Sequence, residues 1–342
     1  MSHNKSLFEK ILQKDLIPLV TQIDKDGVYP EKFIKAVLQA DILSLHLCSE
    51  KERHIKIMKI IEETAKHCLT SAFTLWCHFA SITTIREGRS ITHLNGIREL
   101  IETGKLIAGT GLSNALKYYA GLEPVKVHAV RKQGGYSISG TLPSVSNLGE
   151  NHCFVIMATL DSNKNIICLV PTNTPGLKMN RSKSFVGLNG TATYSCAFQD
   201  VFIADNLIVA EDAEVLIPKI RCIFPLYQIP LALGLSRASL KSLEGNYSEG
   251  HINIIELKEE FTELYDKAYK LASSANLSTI TKEILEVRLK VVKFVTKVTH
   301  YEMVYAGGKG YLEHSSVYRR LRELYFLVNL TPSIQQLERM IF

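Results

Sequence analysis

Apolar positions fall along this chain with changing periods. From residue 1 to about 105 they recur every three to four residues, the spacing that turns one helix face toward a core. SLFEKILQKDLIPLV predicts a helix interrupted at Pro18, and PEKFIKAVLQADIL one that opens with Pro30, whose fixed φ suits a first turn. ERHIKIMKIIEETAKHCLT continues the pattern, and LNGIRELIETG stops at Gly104. TSAFTLWCHFASITTIREG is apolar nearly all round and predicts an inner helix. From about 106 to 210 the stretches become β-branched, alternating or continuously apolar: VKVHAVRK, YSISGTL, CFVIMATL, NIICLVPT and ATYSCAFQDVFIADNLIV. Turn residues separate them, QGG at 133–135 and DSNKN at 161–165, so the middle predicts a compact antiparallel unit of about seven strands. After about 211 helices return. IPLALGLSRASLKSLEG has the small and apolar residues of a tightly packed buried helix. INIIELKEEFTELYDKAYKLAS places Ile255, Leu257, Phe261, Leu264, Tyr265 and Ala268 on one stripe. TKEILEVRLKVVKFVTKVTHYEMVYAG predicts a long helix ended at its glycines. The order is helices, strands, then a helical bundle, an α+β class with segments 1–105, 106–210 and 211–342.

Composition narrows the picture modestly. The 342 residues suffice for a sizeable core, with 46% hydrophobic and 22% charged residues. A net charge of +6 is mild, and YRRLR at 318–322 is the nearest thing to a basic cluster. Nucleic acid is not suggested, while an anionic small molecule stays open. Seven scattered cysteines, an odd count without metal-ligand spacing, read as reduced thiols of a cytoplasmic protein. No metal site is expected. The first residues lack a secretory apolar core, and no window approaches the roughly 20 apolar residues of a membrane span.

Three motifs carry a resemblance. GLNGTATYSCAFQDVFIADNLIV (Gly187 to Val209) keeps Asp200, Val201 and Asp205 of a Phe-x-Asp-Val-x-Val-Pro pattern, with Ala204 in place of the proline. GYSISGTLPSVSNLGENHCFVIMA (Gly135 to Ala158) is a strand-turn-strand, and YAGGKGYLEHSSVYRRLRELY a glycine turn followed by an arginine-bearing helix. In that order they resemble the acyl-CoA dehydrogenase family along nearly the whole chain. The resemblance implies an N-terminal helical domain, a middle β-barrel-like domain and a C-terminal four-helix bundle. It also implies a flavin, FAD or alternatively FMN, between the β-domain and the bundle. The resemblance further implies a homodimer or homotetramer in which a neighbouring subunit completes the cofactor site. The implied partners are a small-molecule substrate such as an acyl-CoA, and an electron-transfer protein or flavin reductase.

A flavin has a polar rim, and burying it requires matching hydroxyls and backbone N–H groups. AGTGLSN (108–114) is a small-residue turn after a strand. By resemblance Thr110 and Ser113 match a Thr-Glu-Pro-Gly-x-Gly-Ser-Asp loop over the flavin, whose two acids are absent here; an ordinary Gly/Asn turn is the alternative. In LPSVSNLG, Ser144 takes the place of a tryptophan that packs on the ring, and Ser146 that of a threonine near flavin N5. A solvated strand end is the alternative for both serines. Gly307 and Gly308 fall where the family approaches the adenine or pyrophosphate of a cofactor held mainly by another subunit, or they serve as a helix C-cap. The arginine followed by Phe-Gly that contacts the diphosphate in the family is missing from SLEGNYSEGHINII; Arg237 lies nearby, inside the preceding helix.

The family's α-proton base is a glutamate after the arginine-bearing helix. In RELYFLVNLTPSIQQLERM that position holds Thr331, and Ser333 and Gln335 fall on cofactor-contacting residues. CIFPLYQIPLALG, the other place where members carry the acid, has none. A threonine hydroxyl does not ionise near neutral pH. The resemblance implies first a flavin-dependent oxidoreductase of the acyl-CoA dehydrogenase type, oxidising the CH–CH bond of an acyl thioester with an acid from elsewhere, such as Glu150 or Glu302. The alternatives are reduced-flavin-dependent oxygenation, as in monooxygenase relatives with a similar Thr-Pro break, or a non-catalytic member. His78, His93, His152 and His314 are candidate proton donors or acceptors, and no motif selects one.

Overall fold

The helical periods of the first third resolve into six helices in a computed structural model that describes residues 2–40, 47–88, 91–160, 164–181, 184–246 and 253–341. Helix α1 (Ser2–Ile11) leads through a π turn and a 3₁₀ turn at Pro18 to α2 (Val20–Lys25). Pro30 caps α3 (Glu31–Gln39), and Ser49 with Glu52 forms a reciprocal capping box on α4 (Glu50–Ala65). Every residue of α5 (Leu69–Glu87) from Leu69 to Ile85 is buried, as its all-round apolar pattern predicts. Its interior hydroxyls are satisfied along the helix: Thr84 donates to Ala80 O and Thr74 to Ser71 O. Helix α6 (Ile91–Glu102) completes the set.

The middle holds β1 (Ala108–Thr110), α7 (Ser113–Tyr119), β2 (Val127–Lys132), β3 (Gly135–Val145), β4 (Cys153–Leu160), β5 (Asn165–Pro171), β6 (Leu177–Arg181), β7 (Tyr194–Ala204) and β8 (Ile208–Ala210). They form one sheet in the order β6-β7-β3-β2-β4-β5-β8, with β1 on β4. Two pairings depart from the antiparallel expectation: β1 and β2 both run parallel to β4. The intervening segments, α7 among them, are long enough to return the chain in the same direction. The edge strand β6 places only Leu177 and Met179 on the core side within five residues, an alternation too short to stand out, and it escapes sequence reading. Residues 161–163 of the expected turn lie outside the described residues. Alternate residues of β2, β3, β4, β5 and β7 enclose a core of their own.

The last third is α8 (Ala213–Asn246), α9 (Ile254–Ala272), α10 (Thr281–Gly310), α11 (Ser316–Asn329) and α12 (Ile334–Ile341). Among the described residues α8 alone is long and apolar enough to cross a membrane, contrary to the sequence reading; 78% of that window is buried in the protein, which marks a core helix. Pro218, Pro225 and Pro230 interrupt its hydrogen-bond ladder without ending it. Ile255 is 69% exposed, so the apolar stripe of α9 begins at Leu257: two residues apart is about 200° round a helix, which turns Ile255 to the solvent face. Helix α10 does not stop at the first glycine but kinks at Gly307 (φ 57°, ψ −146°).

The arginines of YRRLR turn inward. Arg319 meets Glu323, Arg320 forks onto Glu302, and Arg322 reaches Asp24 on α2 at 2.5 Å. Glu302 is 1% exposed. Glu302→Gln would keep the shape but strand a buried guanidinium without a counter-charge. We expect it to destabilise the protein by about 3–5 kcal/mol, read as a fall in Tm and in the urea midpoint.

Candidate functional site

The site grows from the parallel contact of β1 with β4. Thr110, the last residue of β1, forms an isolated bridge with Ser146 at the end of β3. Gly109 permits this approach, because a Cβ there would sit 2.5 Å from Ser146 O. The adjoining turn is fixed by Asn147, held at φ 66°. Its amide donates to Ala108 O and accepts from Tyr29 Oη, while the Asn147 carbonyl accepts from His152 Nδ1. Segment 191–193 is sewn to this turn by backbone bonds, Asn147 N–H to Thr191 O and Leu148 N–H to Ala192 O. That registry brings three hydroxyls into line: Ser146 Oγ lies 2.7 Å from Thr193 Oγ1, which lies 2.8 Å from Thr191 Oγ1. Thr191 donates to Leu188 O at 2.8 Å.

The loop from Thr110 carries the chain to the bundle. Ser113, exposed at the start of α7, donates to Thr331 Oγ1 at 3.2 Å. The Thr331 carbonyl accepts from Gln228 Nε2 at 2.9 Å, and Gln228 Oε1 accepts from Arg288 Nε. These roles are forced: a guanidinium only donates and a carbonyl only accepts, so the amide has one workable orientation. Arg288 is fully buried and also donates to Leu327 O, and its Nη1 is left without a partner. Burial lowers its pKa to about 10, so it stays charged at neutral pH. Beside Thr331 and Pro332, a cleft of about 20 Å³ is walled by Lys117 of α7 and Arg221 and Pro225 of α8. Its lining residues include no carboxylate. Such a space holds a single water or the tip of a ligand, not a ring system.

The structure distributes the expected site residues unevenly. It joins Thr110 to Ser146 and Ser113 to Thr331. Ser144 is exposed on β3, as a solvated strand residue would be. Ser333 is occupied as an N-cap: its Oγ accepts from Gln336 N–H, and Gln336 Oε1 accepts from Ser333 N–H. Gln335 is exposed on α12, and Gly307 and Gly308 are exposed at the α10 kink with open space around them. Thr193, Gln228 and Arg288 join these residues through partners distant along the chain, and Thr191 through Thr193; none of the four is singled out from the sequence.

The proposed substitutes for the missing acid fare differently. Glu302 is clamped by Arg320 and unavailable as a base. Glu150 is exposed in the turn before β4. His78 is buried with both nitrogens engaged: Nδ1 accepts from Ala108 N–H and Nε2 donates to Ile101 O. Burial holds its pKa near 3. It therefore splices α5 to α6 and β1 rather than shuttling protons. His152 is 6% exposed and braces the Asn147 turn; burial lowers its pKa as well. His314 is exposed between α10 and α11, and His93 lies outside the described side chains.

Thr110, Ser146 and Thr193 bring three hydroxyl-bearing side chains together at the ends of β1 and β3, groups able to hydrogen-bond the polar edge of a ligand. Gly109 and Gly111 do not add a cradle, because their missing Cβ space is taken by protein atoms.

Comparisons with known proteins bear on this arrangement. No protein-family model matches the sequence. The chain is 22% identical to the bovine mitochondrial short-chain specific acyl-CoA dehydrogenase across 91% of this chain and 81% of that one. It superposes on butyryl-CoA dehydrogenase from Megasphaera elsdenii with a TM-score of 0.86 at 18% identity, covering 99% of this chain and 96% of that one. It superposes on a dibenzothiophene monooxygenase from Paenibacillus with a TM-score of 0.83 at 13% identity, again covering 99% and 96%. The two superpositions show a shared fold.

Proposed function

We propose that this member of the acyl-CoA dehydrogenase family is a flavin-dependent oxidoreductase that works without a carboxylate base at residue 331, and that it oxygenates its substrate with reduced flavin rather than desaturating an acyl thioester. One observation carries the reading: Thr331 is bonded to Ser113 and Gln228, in a cleft whose lining residues offer two cations and no acid. Desaturation needs a group that removes the α-proton as hydride leaves the β-carbon, and a neutral hydroxyl cannot hold that proton. Oxygenation places no such demand on residue 331. Thr331 accepts from Ser113 and so keeps its own hydrogen, which it can donate to a substrate oxygen.

Bound FAD or FMN would supply the redox chemistry. The residues that would hold it are Thr110, Ser113 and Ser146, with Ser146 at N5 and Ser144 beside the ring. Gly307, Gly308 and Gln335 are exposed and available to a second copy in a homodimer or homotetramer. Ser333 contributes by fixing the start of α12. A flavin reductase or an electron-transfer protein would deliver the electrons.

Anaerobic addition of butyryl-CoA to the FAD- and FMN-loaded protein tests the reading. The visible flavin band is expected to persist. Rapid bleaching would reinstate desaturation, and failure to retain either flavin in either redox state would end both readings.

A further inference from the structure

The hydroxyl row at the end of β3 has a direction. Leu188 O can only accept, so the Thr191 hydrogen points to it. Thr191 Oγ1 must then accept from Thr193, and Thr193 Oγ1 from Ser146. Each hydroxyl has one hydrogen, so Ser146 has none left for a ligand. It offers only a lone pair.

We infer that the Ser146–Thr193–Thr191–Leu188 row makes Ser146 an acceptor and thereby selects reduced over oxidised flavin. This rests on the placement of Ser146 at N5 proposed above. Flavin N5 bears a hydrogen when reduced and only a lone pair when oxidised. Reduced flavin completes the row: N5–H donates to Ser146, and the three protein bonds stay intact. Oxidised flavin requires Ser146 to turn its hydrogen outward. Thr193 must then donate to Ser146 and Thr191 to Thr193, and Thr191 surrenders Leu188 O. The Leu188 carbonyl keeps only the Thr191 N–H at 3.1 Å. The oxidised state is thus short by one hydrogen bond, a difference of about five- to tenfold in affinity. Thr191 is buried and does not reach a ligand itself, so it acts as a positioning residue.

Thr191→Val keeps the side-chain volume and removes the terminal link, which frees the row to reverse. The dissociation constants of FMN and FAD would be measured for wild type, Thr191→Val and Thr191→Ser, oxidised and after dithionite reduction under argon. Wild type is expected to bind reduced flavin more tightly than oxidised. Thr191→Val should lose about five- to tenfold of that preference, mainly by binding oxidised flavin better, and Thr191→Ser should retain it. Equal loss in both redox states would mark a merely structural role and overturn the inference, as would an unchanged ratio in Thr191→Val. A wild type that binds flavin without redox preference sinks this inference alone. One that binds no flavin sinks the functional reading with it.

Discussion

Gly234→Ala is expected to destabilise the protein by about 3 kcal/mol, although alanine is the better helix former by roughly 1 kcal/mol. Steric conflict decides the sign. Gly234 marks the crossing of α8 and α4, where a Cβ would fall well inside the 3.0 Å that real Cβ atoms keep from Glu62 O and 2.6 Å from the Ala65 Cβ. Relief requires moving one backbone away from the other. The same crossing anchors a buried network, with Glu62 accepting from Arg237 at 2.7 Å and from Tyr269 Oη at 2.7 Å. Prising α4 from α8 would weaken both bonds and leave a mostly buried carboxylate less well matched. Gly245→Ala, near the end of the same helix, has nothing within 4 Å of the added carbon. It should leave stability unchanged or raise it by up to about 1 kcal/mol. Urea midpoints of the two variants give the comparison, and equal midpoints would refute the role of the crossing.

Mild acid is expected to destabilise the protein progressively, starting above the pH at which its carboxylates titrate. His78 is neutral in the fold, its pKa depressed by burial to about 3, whereas an unfolded chain returns it to about 6.5. A depressed pKa contributes stability that is fully present above the unfolded value and is lost as pH falls toward the folded one. From about pH 6.5 to about pH 3 the unfolded state binds a proton the native state refuses. The loss at the lower end is on the order of 4 kcal/mol. His54 and His152 are lowered in the same direction, chiefly by burial, and add to the effect. Thermal unfolding at half-unit pH steps should show Tm falling steadily below about pH 6.5. His78→Gln, uncharged at every pH, should start lower at pH 7.5 and fall less steeply. A parallel slope in that variant would remove His78 from the account.

Much of the fold was legible because periodicity reports burial. The all-round apolar run of α5 predicted its complete enclosure, and the switch to β-branched stretches marked the sheet. Ile255 stands two residues before Leu257, about 200° round the helix, so its apolar side chain faces solvent while Leu257 and Phe261 face the core. What else escaped was decided by neighbours distant in sequence. The parallel pairing of β1 and β2 with β4 follows from where the intervening segments return the chain, which no local pattern encodes. At the candidate site, Thr110, Ser113 and Ser146 could be proposed from motifs. The partners that set their hydrogen positions could not: Thr193 is 47 residues from Ser146, and Thr331 is 218 residues from Ser113. Ser144 shows the converse, a position with a motif but an exposed side chain.

Helix α5 is walled by α4, α6, α8 and β1, so the two ends of the chain share one apolar interior running from Phe8 to Leu327. A ribosome releases the first of these elements long before the last. Until α8 emerges, α5 exposes Leu75, Trp76, Phe79 and its other large apolar side chains, with only a stripe of small hydroxyls and His78, and no charge before Arg86, to offer water. The nascent chain should therefore be a substrate for holdase chaperones, and a fragment ending before α8 should precipitate rather than persist as a folded piece.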